Sequence, residues 1–193
     1  MMQWIAEKIV AALDRQGVLR HSSKEVYVYG FDIAIYTFVS TLGLFFIGWI
    51  GGKPWETILL IALYYTNQSA GGGFHASSHL NCFLSMAAGV VVFLLTFHFP
   101  CLYPVYIGVA ALSALLLWHF PLVLHPNKKY LAKKAPQLVQ HSRGILLADV
   151  LFFLITVLLR FPSSIFQAFA VALAFGAASR CVACYQHKDL VFR

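Results

Sequence analysis

The sequence predicts an all-α integral membrane protein with about six transmembrane helices and an N-terminal amphipathic interfacial helix. Of its 193 residues, 60% are hydrophobic and only 11% are charged, and the mean hydropathy is +0.76. A water-soluble globule of this size usually carries about a quarter charged residues, so a soluble class is excluded. Several apolar runs are also long enough to cross a bilayer core of about 30 Å, which takes roughly 20 helical residues.

The N-terminal segment 1–24 predicts a cytoplasmic amphipathic helix on the inner membrane surface. Gly17 is a plausible stop, and the acidic residues Glu7 and Asp14 argue against a cleaved signal peptide. A helix packed on the cytoplasmic end of the bundle is the alternative. Apolar residues recur between the charges at helical spacing: Trp4, Ile5, Ile9, Ala12 and Leu13.

The remaining sequence predicts one transmembrane bundle over 31–183, within a single domain of residues 1–193. Two shorter runs, 57–72 and 145–161, are either full spans or re-entrant segments. Six spans leave both termini on one side of the membrane. The clear candidate spans are 31–50, 80–99, 102–124 and 165–183.

Positive charges predict that this side is the cytoplasm, because short cytoplasmic loops collect Lys and Arg. The loop between the second and third spans then also faces the cytoplasm. The net charge of +7 is explained by anionic inner-leaflet lipids, without nucleic acid. All Lys and Arg except Lys53 and Arg160 fall in three segments: up to Lys24, from Lys128 to Arg143, and from Arg180 onward.

The stretch SAGGGFHASSHLNCF, residues 69–83, interrupts this apolar chain with small and polar residues. His75 and Cys82 are the minimal parts for thiol catalysis, in which an imidazole takes the thiol proton and the thiolate attacks a carbonyl. A free cysteine, with a pKa near 8.5, is mostly protonated in the cytoplasm. A third span capped by Ser77 or Ser78 would bring Cys82 into its first turn, where the helix dipole favours a thiolate.

The spacing of seven between His75 and Cys82 predicts a bend. Along an unbroken helix the two Cα atoms would lie about 10.5 Å apart, which is too far for a hydrogen bond. Gly71, Gly72 and Gly73 permit unusual backbone angles and close approach of another chain. We therefore expect that residues 71–77 do not continue as one regular helix into the third span.

Other polar residues are candidates for supporting roles. Asp149, inside the fifth span, could orient His75 or could reach back to the cytoplasmic interface near Arg143. His79 would complete a zinc-binding face with His75 and Cys82, but a fourth ligand is lacking, so neither a metal nor another cofactor is expected. Candidate oxyanion donors and neighbours of the thiol are Asn67, Gln68, Asn81, Ser85 and the amides of 78–82.

The block GGGFHASSHLNC resembles the glycine, aromatic, His-Ala and Cys signature of the accessory gene regulator B family, bacterial membrane endopeptidases that mature quorum-sensing peptides. The Tyr-Gly pair in KEVYVYGFDI and the basic loop HPNKKYLAKKAP are similar to that family too. The resemblance covers essentially the whole chain. It implies a multi-pass protein of the bacterial cell membrane and a cysteine peptidase with His75 and Cys82 as its dyad.

By the same resemblance, the substrate is a short amphipathic propeptide of the AgrD type. Cys82 would attack the bond before its charged C-terminal tail and hold the core as a thioester, which an internal nucleophile closes to a thiolactone or lactone. Many members carry arginine just before the glycines, where this chain has Asn67, Gln68 and Ser69. The candidate residues for contacting the propeptide are the three glycines together with Lys128, Lys129, Lys133 and Lys134.

Two other function classes remain open from the residues alone. A small transporter or exporter would use His75, His79 and Asp149 as a proton or metal path, and a membrane scaffold would need none of them. Small-residue runs at 86–90 and 174–179 allow close helix packing and suit a homodimer.

Overall fold

The computed structural model describes residues 2–17, 19, 24–74, 76, 78–98, 103–124 and 126–192. Most of this part of the chain is helical, which confirms the predicted helical class. Two 3₁₀ helices, Pro126–Lys134 and Lys188–Leu190, and two strands of two residues complete it. The elements in chain order are α1 (Met2–Arg15), α2 (Lys24–Ile50), α3 (Pro54–Gly71), α4 (His79–Thr96), α5 (Tyr103–His119), β1 (Leu122–Val123), α6 (Ala135–Leu158), α7 (Ser163–Gln186) and β2 (Val191–Phe192).

Four helices in the described part are long and apolar enough to cross a membrane, namely α2, α4, α6 and α7. The α5 helix is apolar but has only 17 residues. These helices identify the chain as a membrane protein. The total of six spans, the cytoplasmic side of the termini and the interfacial position of α1 stay predictions.

The N-terminal compact unit, Met1–Phe46, contains α1 and most of α2. The predicted helix is confirmed as α1, and it ends before Gly17, whose φ of 67° is the left-handed conformation that glycine adopts easily. The Nζ of Lys24, at the start of α2, lies 2.6 Å from an Asp14 carboxylate oxygen. This ion pair links the end of α1 to the beginning of α2.

The second compact unit, Ile47–Arg193, is built around α7. This helix packs against α3, α4, α5 and α6, and over half of its apolar stretch is buried, compared with about a fifth in the other candidate spans. A Cβ at Gly89 of α4 would lie 3.1 Å from the Phe175 ring of α7. The small-residue runs 86–90 and 174–179 therefore allow close packing inside this unit. They no longer argue for a homodimer, which stays a prediction.

The predicted span 102–124 is too long at its end, because α5 stops at His119. Pro121 disfavours helical geometry at the residue before it and has no N–H to continue the ladder. The chain instead forms β1, which pairs antiparallel with β2 through Leu122 opposite Phe192 and Val123 opposite Val191. This strand pair was not predicted by the all-α fold class.

The predicted span 145–161 starts too late, because α6 already begins at Ala135. Pro136 occupies the first helical turn, where its missing N–H costs nothing. The polar residues after it resemble a loop in composition, yet they form the first turns of α6. Arg143, expected in a basic loop, is inside this helix with its guanidinium 4.9 Å from the centre of the Trp118 ring.

Arg180 was counted with the cytoplasmic charges although the predicted span 165–183 contains it, and it is inside α7 and only 2% exposed. One guanidinium nitrogen, Nη1, donates to the carbonyl oxygens of Phe120 at 3.3 Å and Pro121 at 3.1 Å, and to Ser142 Oγ at 3.4 Å. The other, Nη2, donates to the Asn67 carbonyl at 2.9 Å. Arg180 therefore joins α7 to α3, α6 and the segment after α5.

Replacing Arg180 by methionine should destabilise the protein by about 3 kcal/mol, because several buried oxygens would lose their donor and each orphan costs about 1–3 kcal/mol. Unfolding in mixed micelles, followed by tryptophan fluorescence, measures this loss. Arg160→Met is the matched control, since the Arg160 side chain is exposed. Equal unfolding midpoints for wild type and Arg180→Met would contradict the role given to these bonds.

Candidate active site

The break predicted between α3 and α4 is present. The α3 helix ends at Gly71, and Gly72 has a φ of 71° while its N–H donates to the Gln68 carbonyl at 2.9 Å. Residues 72–74 and 76 are not helical, and α4 starts only at His79. The prediction for 71–77 is therefore confirmed for the described residues. His75 and Ser77 lie outside them.

Each of the three consecutive glycines lies against a different neighbour, which is a backbone carbonyl oxygen at Gly71 and Gly72 and the flexible end of a side chain at Gly73. A Cβ at Gly71 would collide with the Arg180 guanidinium and the Pro121 carbonyl oxygen. A Cβ at Gly72 would collide with the Val123 carbonyl oxygen, and one at Gly73 with the Gln68 side-chain amide. The segment after α3, which we call the glycine segment (71–74), is thus held against α7 and against the chain that follows α5.

Cys82 lies in the first turn of α4, as the sequence predicted. Ser78 is the N-cap: its Oγ accepts the Asn81 N–H at 3.2 Å, and its carbonyl accepts the Cys82 N–H at 3.1 Å. The cysteine is a free, half-buried thiol.

A network of polar groups on α3 and α7 surrounds the glycine segment. The Phe74 N–H donates to the Ser179 carbonyl at 3.1 Å and to Ser179 Oγ at 3.0 Å. The Gln68 side-chain amide donates to the Phe74 carbonyl at 3.2 Å and to Ser179 Oγ at 3.3 Å. The Tyr64 hydroxyl shares a hydrogen bond with the Ser179 side chain and interacts electrostatically with the Cys82 thiol.

Tyr64 and Ser179 were missed in the sequence. Tyr64 falls inside an apolar run, and Ser179 ends a run of small residues that indicates helix packing. One signal was available, because Tyr64 and Gln68 are four residues apart and so share a face of α3. Nothing in the sequence brings α7 to that face.

Asn67 and Asp149 form a second polar pair at the end of α3. The Asn67 amide donates to the Asp149 carboxylate at 2.6 Å and to the Leu63 carbonyl at 3.0 Å. The Arg143 guanidinium packs on the Trp118 ring. The role of Asp149 in orienting His75 stays a prediction.

The remaining candidate residues occupy the surface or their own helix. Ser85 Oγ donates to the Asn81 carbonyl at 2.8 Å, one turn earlier in α4. Lys133 and Lys134 are exposed at the end of the 3₁₀ helix Pro126–Lys134. Lys128 and Lys129 belong to the same 3₁₀ helix, but their side chains lie outside the described part.

The sequence model of the Accessory gene regulator B family matches residues 6–182 of the chain. This range begins within α1, ends within α7 and includes the glycine segment and Cys82. No curated protein and no solved structure gives a match. The chain therefore belongs to the accessory gene regulator B family, and its role is in quorum-sensing peptide processing, which in this family acts on an AgrD propeptide.

Proposed function

We propose that the protein is a cysteine endopeptidase that removes the C-terminal tail of a short signal propeptide and promotes its cyclisation. The observation that carries this proposal is the location of Cys82 in the capped first turn of α4, directly after a glycine segment held by α7. A free, half-buried thiol in the first turn of a helix is a suitable nucleophile for attack on a carbonyl carbon once a base takes its proton.

The reaction has two steps, with His75 as the base. The imidazole takes the Cys82 proton, and the sulfur attacks the carbonyl carbon that precedes the tail. The C–N bond breaks, the tail amine leaves with the proton from the imidazolium, and a thioester remains on Cys82. A thiol or hydroxyl within the bound peptide then gives its proton to the neutral imidazole and attacks this thioester, which releases the Cys82 sulfur to take that proton back and closes the thiolactone or lactone ring.

The developing oxyanion needs hydrogen-bond donors near Cys82. Most of the donors expected from the sequence are already used: the Asn81 and Cys82 amides bond to Ser78, and the side chains of Asn67 and Gln68 bond within the bundle. The Leu80 amide, earlier in the first turn, lies outside the helical ladder and is a backbone candidate. The Tyr64 hydroxyl is the side-chain candidate because it is an O–H donor within electrostatic range of Cys82.

Exclusion of water explains why such a site belongs at a membrane. Water would hydrolyse a thioester, whereas a tethered nucleophile gains from its high effective concentration. Leu80 and Leu84 project from the beginning of α4 with 65% and 53% of their surfaces exposed. Lipid against these side chains would shield the thioester from solvent and favour ring closure.

Cys82→Ala should abolish cleavage because no thioester can form without the sulfur. The measurement is the release of the tail from a synthetic propeptide by purified full-length protein in vesicles. Cys181→Ala, which removes another free thiol, should cleave at the wild-type rate. Cleavage that persists in Cys82→Ala would refute the nucleophile, and loss of activity in both variants would show that thiol removal acts indirectly.

Gly72→Ala should lower the cleavage rate at least about 100-fold, because misplacing a reacting group by about 1 Å has an effect of this size. The added methyl meets the Val123 carbonyl, and the φ of 71° is strained for alanine. Gly144→Ala on α6, where a Cβ meets nothing within 4 Å, is the control. Similar rates for the two alanine variants would contradict the importance of the glycine segment.

Reversing the four basic-loop charges, at Lys128, Lys129, Lys133 and Lys134, should raise KM for an acidic-tailed propeptide about tenfold or more, since exposed ion pairs contribute up to about 1 kcal/mol each. A propeptide whose tail acids are replaced by amides is the control, and both enzymes should process it alike. An unchanged KM for the acidic substrate would remove the loop from substrate recognition.

A further inference from the structure

Ser179, on α7, takes no part in the two steps of the proposed peptidase reaction. It precedes Arg180, and the two residues contact the two ends of the segment 67–74. Arg180 bonds the Asn67 carbonyl near the end of α3, while Ser179 bonds the Phe74 N–H at the end of the glycine segment. One turn of α7 therefore fixes both ends of the chain that leads into His75.

We propose that Ser179 is a positioning residue of the peptidase site, which couples the backbone before His75 to the side chains of Gln68 and Tyr64 on α3. The inference rests on the proposed function. Through one hydroxyl, Ser179 contacts the Phe74 N–H and the Gln68 amide and shares a hydrogen bond with the Tyr64 hydroxyl, which lies within electrostatic range of Cys82. Ser179 acts through these residues and does not touch the scissile bond.

The geometry separates this role from a purely structural one. A serine hydroxyl has one donor hydrogen and two acceptor sites, so its contacts with three groups fix its orientation. The Phe74 N–H has a second acceptor, the Ser179 carbonyl at 3.1 Å. Removing the hydroxyl therefore leaves the backbone link between α7 and the glycine segment in place. What is lost is the side-chain connection to Gln68 and Tyr64.

The orientation of Tyr64 depends on this connection. Its side chain is only 7% exposed, and its ring packs 5.1 Å from the Phe175 ring, which holds the ring plane but not the hydroxyl hydrogen. Because the Phe74 and Gln68 N–H groups fill the two acceptor sites of Ser179 Oγ, Ser179 donates its hydrogen to the Tyr64 oxygen, which leaves the Tyr64 hydrogen to point away from Ser179. Preorganised dipoles contribute to the chemical step rather than to substrate binding, so losing this constraint should affect kcat and leave KM nearly unchanged.

Ser179→Ala should lower kcat for tail release about 10- to 100-fold, with KM within about twofold of wild type. Ser179→Thr, which keeps the hydroxyl, should recover most of the rate. Ser69→Ala is the matched control, because the Ser69 hydroxyl donates only to the Thr66 carbonyl of its own helix. The assay uses full-length protein in vesicles and a synthetic propeptide, with thermal melting to confirm folding.

Tyr64→Phe provides a second, independent measurement. If Ser179 acts through Tyr64, the double variant Ser179→Ala with Tyr64→Phe should have a kcat no lower than that of the slower single variant. Fully additive losses would overturn the proposal. A wild-type kcat in Ser179→Ala would overturn it too. So would a loss of kcat that accompanies a lower melting temperature and that Ser179→Thr does not recover.

These outcomes are distinguishable from failure of the proposed function. That failure would appear as wild-type protein without cleavage, or as Cys82→Ala with wild-type cleavage, before any change at Ser179 is made. When wild type cleaves and Cys82→Ala does not, the rate of Ser179→Ala alone decides the role of Ser179.

Discussion

The buried guanidinium of Arg180 is the interaction on which the arrangement of the site depends. It donates to oxygens of α3, of α6 and of the segment after α5, so the relative positions of these elements follow from one side chain. A planar, permanently charged group with five donors can hold several carbonyls in fixed directions, which lysine cannot do. The same side chain fills the space next to Gly71 and excludes any larger residue there.

The glycine segment and the proposed nucleophile, Cys82, are thereby held by helices. The α7 helix, the most buried of the candidate spans, holds the glycine segment through its consecutive residues Ser179 and Arg180. The nucleophile belongs to α4, whose first turn is closed by the Ser78 cap. A site built on rigid elements keeps its geometry more accurately than one built on loops, which suits a reaction that must favour a tethered nucleophile over water.

Local signals in the sequence predicted the parts of the site that depend on local physics. The glycines predicted the break after α3, the serines predicted the cap, and the spacing brought Cys82 into the first turn of α4. Gly17 likewise predicted the end of α1. These features follow from backbone freedom and from hydrogen bonds between residues close in sequence, so no knowledge of the partner helices was needed.

The parts that were missed depend on contacts between residues far apart in the chain. Nothing near Arg180 in the sequence indicates that it is buried, because its hydrogen-bond acceptors lie about 40 to 110 residues away along the chain. The start of α6 was placed too late because its polar first turns resemble a loop, and α5 was extended too far because hydropathy alone ignores Pro121. Ser179 resembles a packing residue until α3 is set beside it. Tertiary contacts, not propensities, decide these positions.

The most direct test of a thioester mechanism is the isolation of the intermediate itself. Purified protein is mixed with propeptide, quenched in acid within the first turnover and analysed by intact and peptide mass spectrometry. The account predicts an adduct equal to the propeptide without its tail, bound to Cys82 and released by hydroxylamine. Tail release with no adduct at Cys82, or an adduct on another residue, would contradict it.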